Sequence, residues 1–194
     1  MEDKLTRIYC VRHALPVPDH TVDRERALSE EGRTDTRKVT EALREIRLDA
    51  AVSSPYLRSI DTIRECALEH GLTIRTDEDF RERKVGDTAG RQEELTRMRW
   101  ADFDFAEPGG ECLRSVEERN LRAFGKLLTE FRGKNVLFGT HGTALSVILH
   151  HYDPSWDYGG FRRIEAWMPY VVRLDFDGEK YVGREELLTI DKGH

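Results

Sequence analysis

Three short, wholly apolar runs, Ile8 to Val11, Ala50 to Val52 and Val136 to Phe138, are separated by segments of helical period, and this alternation most constrains the fold. Continuous apolar runs of this length read as parallel strands buried on both faces. Between them, Val39, Ala42, Leu43 and Ile46 form an i, i+3, i+4, i+7 stripe after a polar turn at Ser29 to Gly32. Ser54-Pro55 supplies an N-cap and a proline at the first helical position for a second helix, with Leu57, Ile60 and Ala67 turned inward. Ser115-Val116-Glu117-Glu118 fits a capping box, and Leu121, Phe124, Leu128 and Phe131 continue its apolar face. Ala144 to Leu149 is apolar nearly all round, as in a short helix packed under a sheet. Val171 to Phe176 then meets Asp177-Gly178, a type I′ turn signal, before Tyr181-Val182, which predicts a hairpin on the sheet edge. The expectation is a three-layer α/β/α fold with a mostly parallel central sheet and one antiparallel edge strand or hairpin.

At 194 residues, without a Pro/Gly/Ser-rich linker or internal repeat, the chain reads as a single domain over 1–194. Its 31 Lys+Arg against 37 Asp+Glu, with the basic residues scattered, argue against a nucleic-acid or anionic-membrane surface, so any anion site must be local. The polar start Met1-Glu2-Asp3-Lys4 and the short first apolar run do not make a leader or a span, and a cytoplasmic protein is expected. Cys10, Cys66 and Cys112 are widely spaced, without a C-x-x-C pair, and read as reduced packing residues.

Two of the apolar runs end in histidine corners, Arg12-His13 and Thr140-His141-Gly142. Ligands of open α/β sheets sit outside the carboxyl ends of the strands, so corners far apart in sequence can meet in one crevice. Arg58, in the first turn of the second helix, adds a guanidinium where free N–H groups already favour an anion. Two guanidinium forks suit one phosphoryl group. A neutral imidazole with a reference pKa of about 6.5 is a competent nucleophile near neutral pH, and His13 is the candidate. His141 is placed to carry a proton and stabilise equatorial charge, and Glu82 is the candidate acid for the departing alkoxide. A pairing of Arg58 with Asp61 at i+3 is the competing reading of that arginine.

These residues fall in an order that resembles the histidine phosphatase superfamily, the phosphoglycerate mutase-like proteins, over most of the chain. The resemblance rests on Arg12-His13-Ala14, Leu28-Ser29-Glu30-Glu31-Gly32-Arg33, Ser53-Ser54-Pro55-Tyr56-Leu57-Arg58, Phe80-Arg81-Glu82 with Gly86 and Gly90, Pro108-Gly109-Gly110-Glu111 with Arg119, and Thr140-His141-Gly142. It implies His13 as phosphoacceptor, Arg12, Arg58, His141 and Gly142 around the phosphate, and Glu82 as proton donor and later base. No metal and no cofactor are implied. Ala14 stands where the family has glycine, the stretch Leu15 to Asp19 lacks its usual neutral phosphate contacts, and Thr88-Ala89 stand where Trp and Glu are common.

The function expected is metal-independent hydrolysis of a phosphomonoester, with a small phosphorylated metabolite as partner and a phosphoprotein also within the reach of such a pocket. A phosphoglycerate-type mutase and a phosphate-binding regulatory module without turnover are the alternatives. The short Glu82 to His141 interval favours hydrolysis over a bisphosphate-primed mutase. The segment 91–107, with Trp100, Phe103 and Phe105, reads equally as a cap over the crevice or as a surface helix packing Trp100 on Phe103. Arg162 and Arg163 read as solvated, the adjacent His150 and His151 as a helix end facing solvent, and His20 and His70 have no assignable partner.

Overall fold

The computed structural model describes residues 5–18 and 22–193. Met1 to Lys4, Asp19 and His20 therefore lie outside the described residues. Strands β1 (Thr6–Arg12), β2 (Ala50–Ser53), β3 (Ile74–Thr76), β4 (Asn135–Thr140), β5 (Trp167–Asp177) and β6 (Lys180–Asp191) make one sheet in the order β3-β2-β4-β1-β5-β6. The pairs β1/β4, β2/β4 and β2/β3 are parallel, and β5 and β6 continue the sheet antiparallel beyond β1. The helices are α1 (Glu30–Leu43), α2 (Leu57–Glu69), α3 (Gln92–Ala101), α4 (Leu113–Glu130), α5 (Gly142–Tyr152) and α6 (Tyr158–Glu165).

Side chains alternate across a strand, so each apolar run feeds two cores. Ile8, Cys10, Val136 and Phe138 face α4, α5 and α6 through Phe124, Leu128, Leu145, Ile148 and Ile164. Tyr9, Val11 and Leu137 face α1 and α2 through Val39, Leu43, Ile63 and Cys66. This is the expected three-layer arrangement, with the hairpin at one edge. Among the described residues no helix is long and apolar enough to cross a membrane.

Several local expectations are corrected. Helix α1 ends at Leu43, so Ile46 lies beyond it, and Ala42 faces solvent; the inner face is completed by Asp35, Thr36 and Thr40. Helix α2 starts at Leu57 with Tyr56 at the N-cap, and the Ser54 hydroxyl bonds the Tyr56 N–H and His141 ahead of the helix. Its inner side is Ile63, Cys66 and Ala67, with Leu57 and Ile60 half-buried. Helix α4 starts at Leu113, capped by the Cys112 sulfur rather than by Ser115; burial of Leu113 against Val116 and Val147 draws the first turn earlier. In the hairpin Asp177 pairs with Lys180, leaving Gly178-Glu179 as the loop. Positive φ at Gly178 (61°), without one at Glu179, is the II′ rather than the I′ pattern. Strand β3, in which Ile74 is the one apolar residue, is an addition.

Candidate active site

In the parallel pair β1/β4, Arg12 lies opposite Thr140. The next residue on each strand is a histidine, so register alone brings His13 and His141 side by side, with ring centroids 5.3 Å apart. Strand β2 lies on the other side of β4, with Ser53 opposite Gly139, and so delivers Ser54 to the same edge. The β1 end, with Arg12 and His13, lines a cleft of about 920 Å³ together with Arg58, Glu82, Tyr56 and Met168, and His141 and Ser54 lie fully buried.

The hydrogen bonds define the state of each ring. His13 Nδ1 lies 2.8 Å from the Ala14 carbonyl, which only accepts, so Nδ1 carries the hydrogen and Nε2 keeps its lone pair. Burial, then the guanidiniums of Arg58 and Arg12, hold the His13 pKa well below the ordinary imidazole value. The ring is therefore neutral at pH 7. The Ser54 hydroxyl accepts from the Tyr56 N–H at 3.3 Å and shares a 2.7 Å hydrogen bond with His141 Nε2, in which either atom can be the donor. With Ser54 as the donor, the hydrogen of His141 lies on Nδ1, which is buried and has no partner. His141 is likewise held well below its ordinary value by burial and then by Arg58, and in that tautomer Nδ1 offers a neutral N–H donor.

Arg12 is buried; its Nη1 donates to the Trp167 carbonyl at 3.0 Å and its Nε has no partner. Burial pushes its pKa down to about 10, which leaves it charged. A Cβ on Gly142 would come 3.2 Å from Arg12 Nε, so glycine there lets the guanidinium lie against the start of α5. Arg58 Nη1 donates to the Asp23 carbonyl at 2.7 Å and pairs with its carboxylate at 3.1 Å, while Nε is orphaned. The competing pairing does not form, since Asp61 bonds Arg64 at 2.7 Å. Buried donors without an internal partner are open to a ligand; Arg12 Nε, Arg58 Nε and, in the tautomer above, His141 Nδ1 are three of them.

Glu82 sits on the amino end of α5. Its Oε2 accepts from Thr143 N–H at 3.0 Å and its Oε1 from Ala144 N–H at 3.1 Å and Arg83 N–H at 2.7 Å. Behind it, Arg119 donates to the carbonyls of Asp79, Arg81 and Glu82 at 2.8, 2.6 and 3.2 Å and forms a two-point pair with Glu111. A second lock joins Arg83 and Arg99 through the buried Glu107, at 2.8 and 2.7 Å. Burial opposes its ionisation, but the Gly86 N–H and Arg83 hold the Glu107 pKa down to about 2.

Ala14, in the glycine position of the motif, has no left-handed φ; its N–H donates to Thr62 Oγ1 at 2.9 Å, and its methyl is buried. The segment 91–107 carries α3, and Trp100 does pack on Phe103 with centroids 5.5 Å apart. Gln92, Thr96 and Arg99 of α3 also line a smaller cavity, of about 180 Å³, that shares Arg12, Glu82 and Arg83 with the main cleft. His150 Nδ1 donates to the Trp156 carbonyl at 2.8 Å. His151 faces Glu117, and His70 ends α2. Arg162 pairs with Glu165, and Arg163 lies over Trp156 and Trp167. Cys10, Cys66 and Cys112 are free thiols. Asp23, Ser54 and Tyr56, whose ring stands 5.2 Å from that of His141, escaped the sequence reading. The Ser54-Pro55 pair was legible as a cap, which concealed its use as a histidine partner.

The mixed sheet brings paired histidines and orphaned arginine donors to one edge, and the family model of the histidine phosphatase superfamily (branch 1) matches residues 8–185. The chain belongs to that superfamily. It is 29% identical over 188 residues, 88% of this chain and 89% of the relative, to a 2,3-bisphosphoglycerate-dependent phosphoglycerate mutase of Parvibaculum lavamentivorans. It is 30% identical over 176 residues, 82% of this chain and 83% of the relative, to a phosphoglycerate mutase of Schizosaccharomyces pombe. A mycobacterial glucosyl-3-phosphoglycerate phosphatase shares the fold with a TM-score of 0.75 at 20% identity, over 94% of this chain and 97% of that one.

Proposed function

We propose that the chain hydrolyses phosphomonoesters through a phosphohistidine on His13, acting in the cytoplasm on a small phosphorylated metabolite without a metal ion. One observation carries the reading: the Ala14 carbonyl fixes the His13 hydrogen on Nδ1, leaving a neutral Nε2 beside buried arginine and histidine donors that lack partners. In the reaction, Nε2 attacks phosphorus, the N–P bond forms, and the P–O bond to the leaving group breaks. Arg12, Arg58 and the His141 N–H take the equatorial oxygens, and Gly142 keeps the Arg12 approach open. Glu82 gives its proton to the departing oxygen. Water then attacks the phosphohistidine while Glu82 accepts a proton, the N–P bond breaks, and His13 is restored.

The test is a panel of phosphomonoesters, with p-nitrophenyl phosphate as generic probe, run with chelator on wild type and His13→Ala. Wild type should keep its rate with chelator, and the variant should lose on the order of 10⁴ in kcat while remaining folded. Quenched wild type should carry acid-labile, base-stable phosphate. An unimpaired His13→Ala would remove His13 from the mechanism.

The mutase names of curated relatives favour a second reading. This chain spans 89% and 83% of two of them, so the match covers most of each mutase. Supplying 3-phosphoglycerate with a bisphosphate primer, and following isomer formation against inorganic phosphate, decides between the readings. Phosphate binding without either product would make the chain a regulatory module.

A further inference from the structure

Among the described residues, the arginines that are buried or half-buried are Arg7, Arg12, Arg26, Arg58, Arg81, Arg83, Arg99, Arg119, Arg173 and Arg184. All but two meet a carboxylate within 4 Å: for example Arg58 with Asp23, Arg99 with Glu107 and Arg184 with Asp153. The exceptions are Arg12 and Arg26, whose hydrogen bonds go to neutral carbonyls, those of Trp167 and Val17. A partly desolvated cation without an anion is costly and marks a place for one. For Arg12 the reading above supplies the phosphoryl group. Arg26 has no such assignment.

Its position is built rather than incidental. Pro16 and Leu28 form an antiparallel bridge, Val17 N–H donates to the Ala27 carbonyl at 3.0 Å, and Ser29 N–H donates to the Leu15 carbonyl at 2.9 Å. This short ladder holds Arg26 in the cleft wall, and the 2.7 Å bond from Nε to Val17 fixes its guanidinium while leaving both Nη groups without a partner. Lys84, two residues after Glu82, lines the same cleft and its ammonium also makes no ion pair. Leu15, Pro16, Pro18, Val85 and Met168 supply apolar wall around these cations. Burial, and then the neighbouring Arg58, draw the Arg26 pKa down, and the Asp23 carboxylate, which forms no contact ion pair with it, offsets part of that shift.

We propose that Arg26, with Lys84 at the rim, is a specificity-determining residue that binds a second anionic group, a carboxylate or phosphate, on the leaving-group side of the substrate. The inference rests on the phosphomonoester reading of the cleft. It selects diacidic esters over neutral sugar or polyol phosphates.

Glycerol 3-phosphate and 3-phosphoglycerate differ by a hydroxymethyl group against a carboxylate, and serve as the probe pair. Wild type should favour the carboxylate ester in kcat/KM by about tenfold or more, the ratio expected of one charge-assisted hydrogen bond. R26Q/K84Q should abolish the preference while glycerol 3-phosphate turnover stays within about threefold; R26K, keeping charge without the fork, should fall between. The same pair is measured by calorimetry on His13→Ala, where binding is read without turnover. Equal binding of the two esters, no binding of either, or a preference that survives in R26Q/K84Q overturns the proposal. Equal loss on both esters assigns Arg26 to the phosphoryl pocket instead and also overturns it. Absence of phosphate release from every ester by wild type, with the calorimetric preference intact, refutes hydrolysis and spares the subsite.

Discussion

Gly142→Ala separates the needs of the helix from those of the pocket. Gly142 opens α5 and its φ is not left-handed, so alanine fits the backbone. Replacing glycine by alanine in a helix gains roughly 0.5–1 kcal/mol, and about 0.5 kcal/mol is expected at this first position. For a chain of this size that raises Tm by about 1–2 °C. The new methyl meets Arg12 at Nε, Cζ and Nη2, at 3.2, 3.4 and 3.5 Å, all closer than or at the limit of comfortable contact. Arg12 is pinned at its other end by Trp167 and is buried, so it yields by a few tenths of an ångström only by lengthening that 3.0 Å bond or by entering the phosphoryl space. Displacement of 1 Å at a reacting centre costs about 10²-fold, so a loss of roughly tenfold in kcat/KM is expected. The measurements are Tm without ligand, kcat/KM on p-nitrophenyl phosphate, and the inhibition constant of inorganic phosphate, which should weaken in parallel. Unchanged activity and phosphate inhibition would refute the claim that Arg12 depends on this close approach; a drop in Tm would show that the clash spreads into the fold.

Other expectations follow from the same contacts. His13 and His141 have depressed pKa values in the fold, so below about pH 6.5 the unfolded chain binds protons that the folded one refuses, and stability falls with pH. Each ring should cost up to about 1.4 kcal/mol at pH 5.5 relative to neutral pH, a slope that urea titrations should find reduced in a His13→Asn/His141→Asn variant; an unchanged slope would contradict their burial as neutral rings. Arg119→Lys cannot hold three carbonyls and Glu111 together, so kcat should fall about tenfold with KM little changed, and a kcat equal to wild type would show that Glu82 needs no such clamp. Asp23→Asn removes the carboxylate that occupies the Arg58 fork, and inorganic phosphate should inhibit up to about tenfold more tightly; weaker inhibition would mean that Asp23 positions Arg58 for the anion.

The site was legible where local chemistry and sheet register agree. Arg12, His13 and His141 follow apolar runs long enough to identify as strands, and adjacent parallel strands have to release their last residues at one edge. Glu82 was harder to read, because it lies among Glu78, Asp79 and Asp87, and its difference is made by the free N–H groups of α5, some 60 residues downstream. The starts of α2 and α4 depart from the local cap signals: Ser54 bonds the Tyr56 N–H and His141 ahead of α2, and the burial of Leu113 moves the start of α4. Strand β3 left little pattern because it pairs on one side only, at the sheet edge. Asp23 and Arg26 lie in a charged stretch whose spacing says nothing about which side chains turn inward.

One consequence of the α5 amino end concerns motion. His141 caps this helix, Gly142 opens it, and the next two N–H groups hold Glu82, so three elements of the site are tied to a single turn of backbone. They must travel as a rigid body or stay still, and the turn is anchored by a helix whose residues Ala144 to Leu149 are all buried. Any breathing of the cleft therefore leaves His141, Gly142 and Glu82 fixed relative to one another.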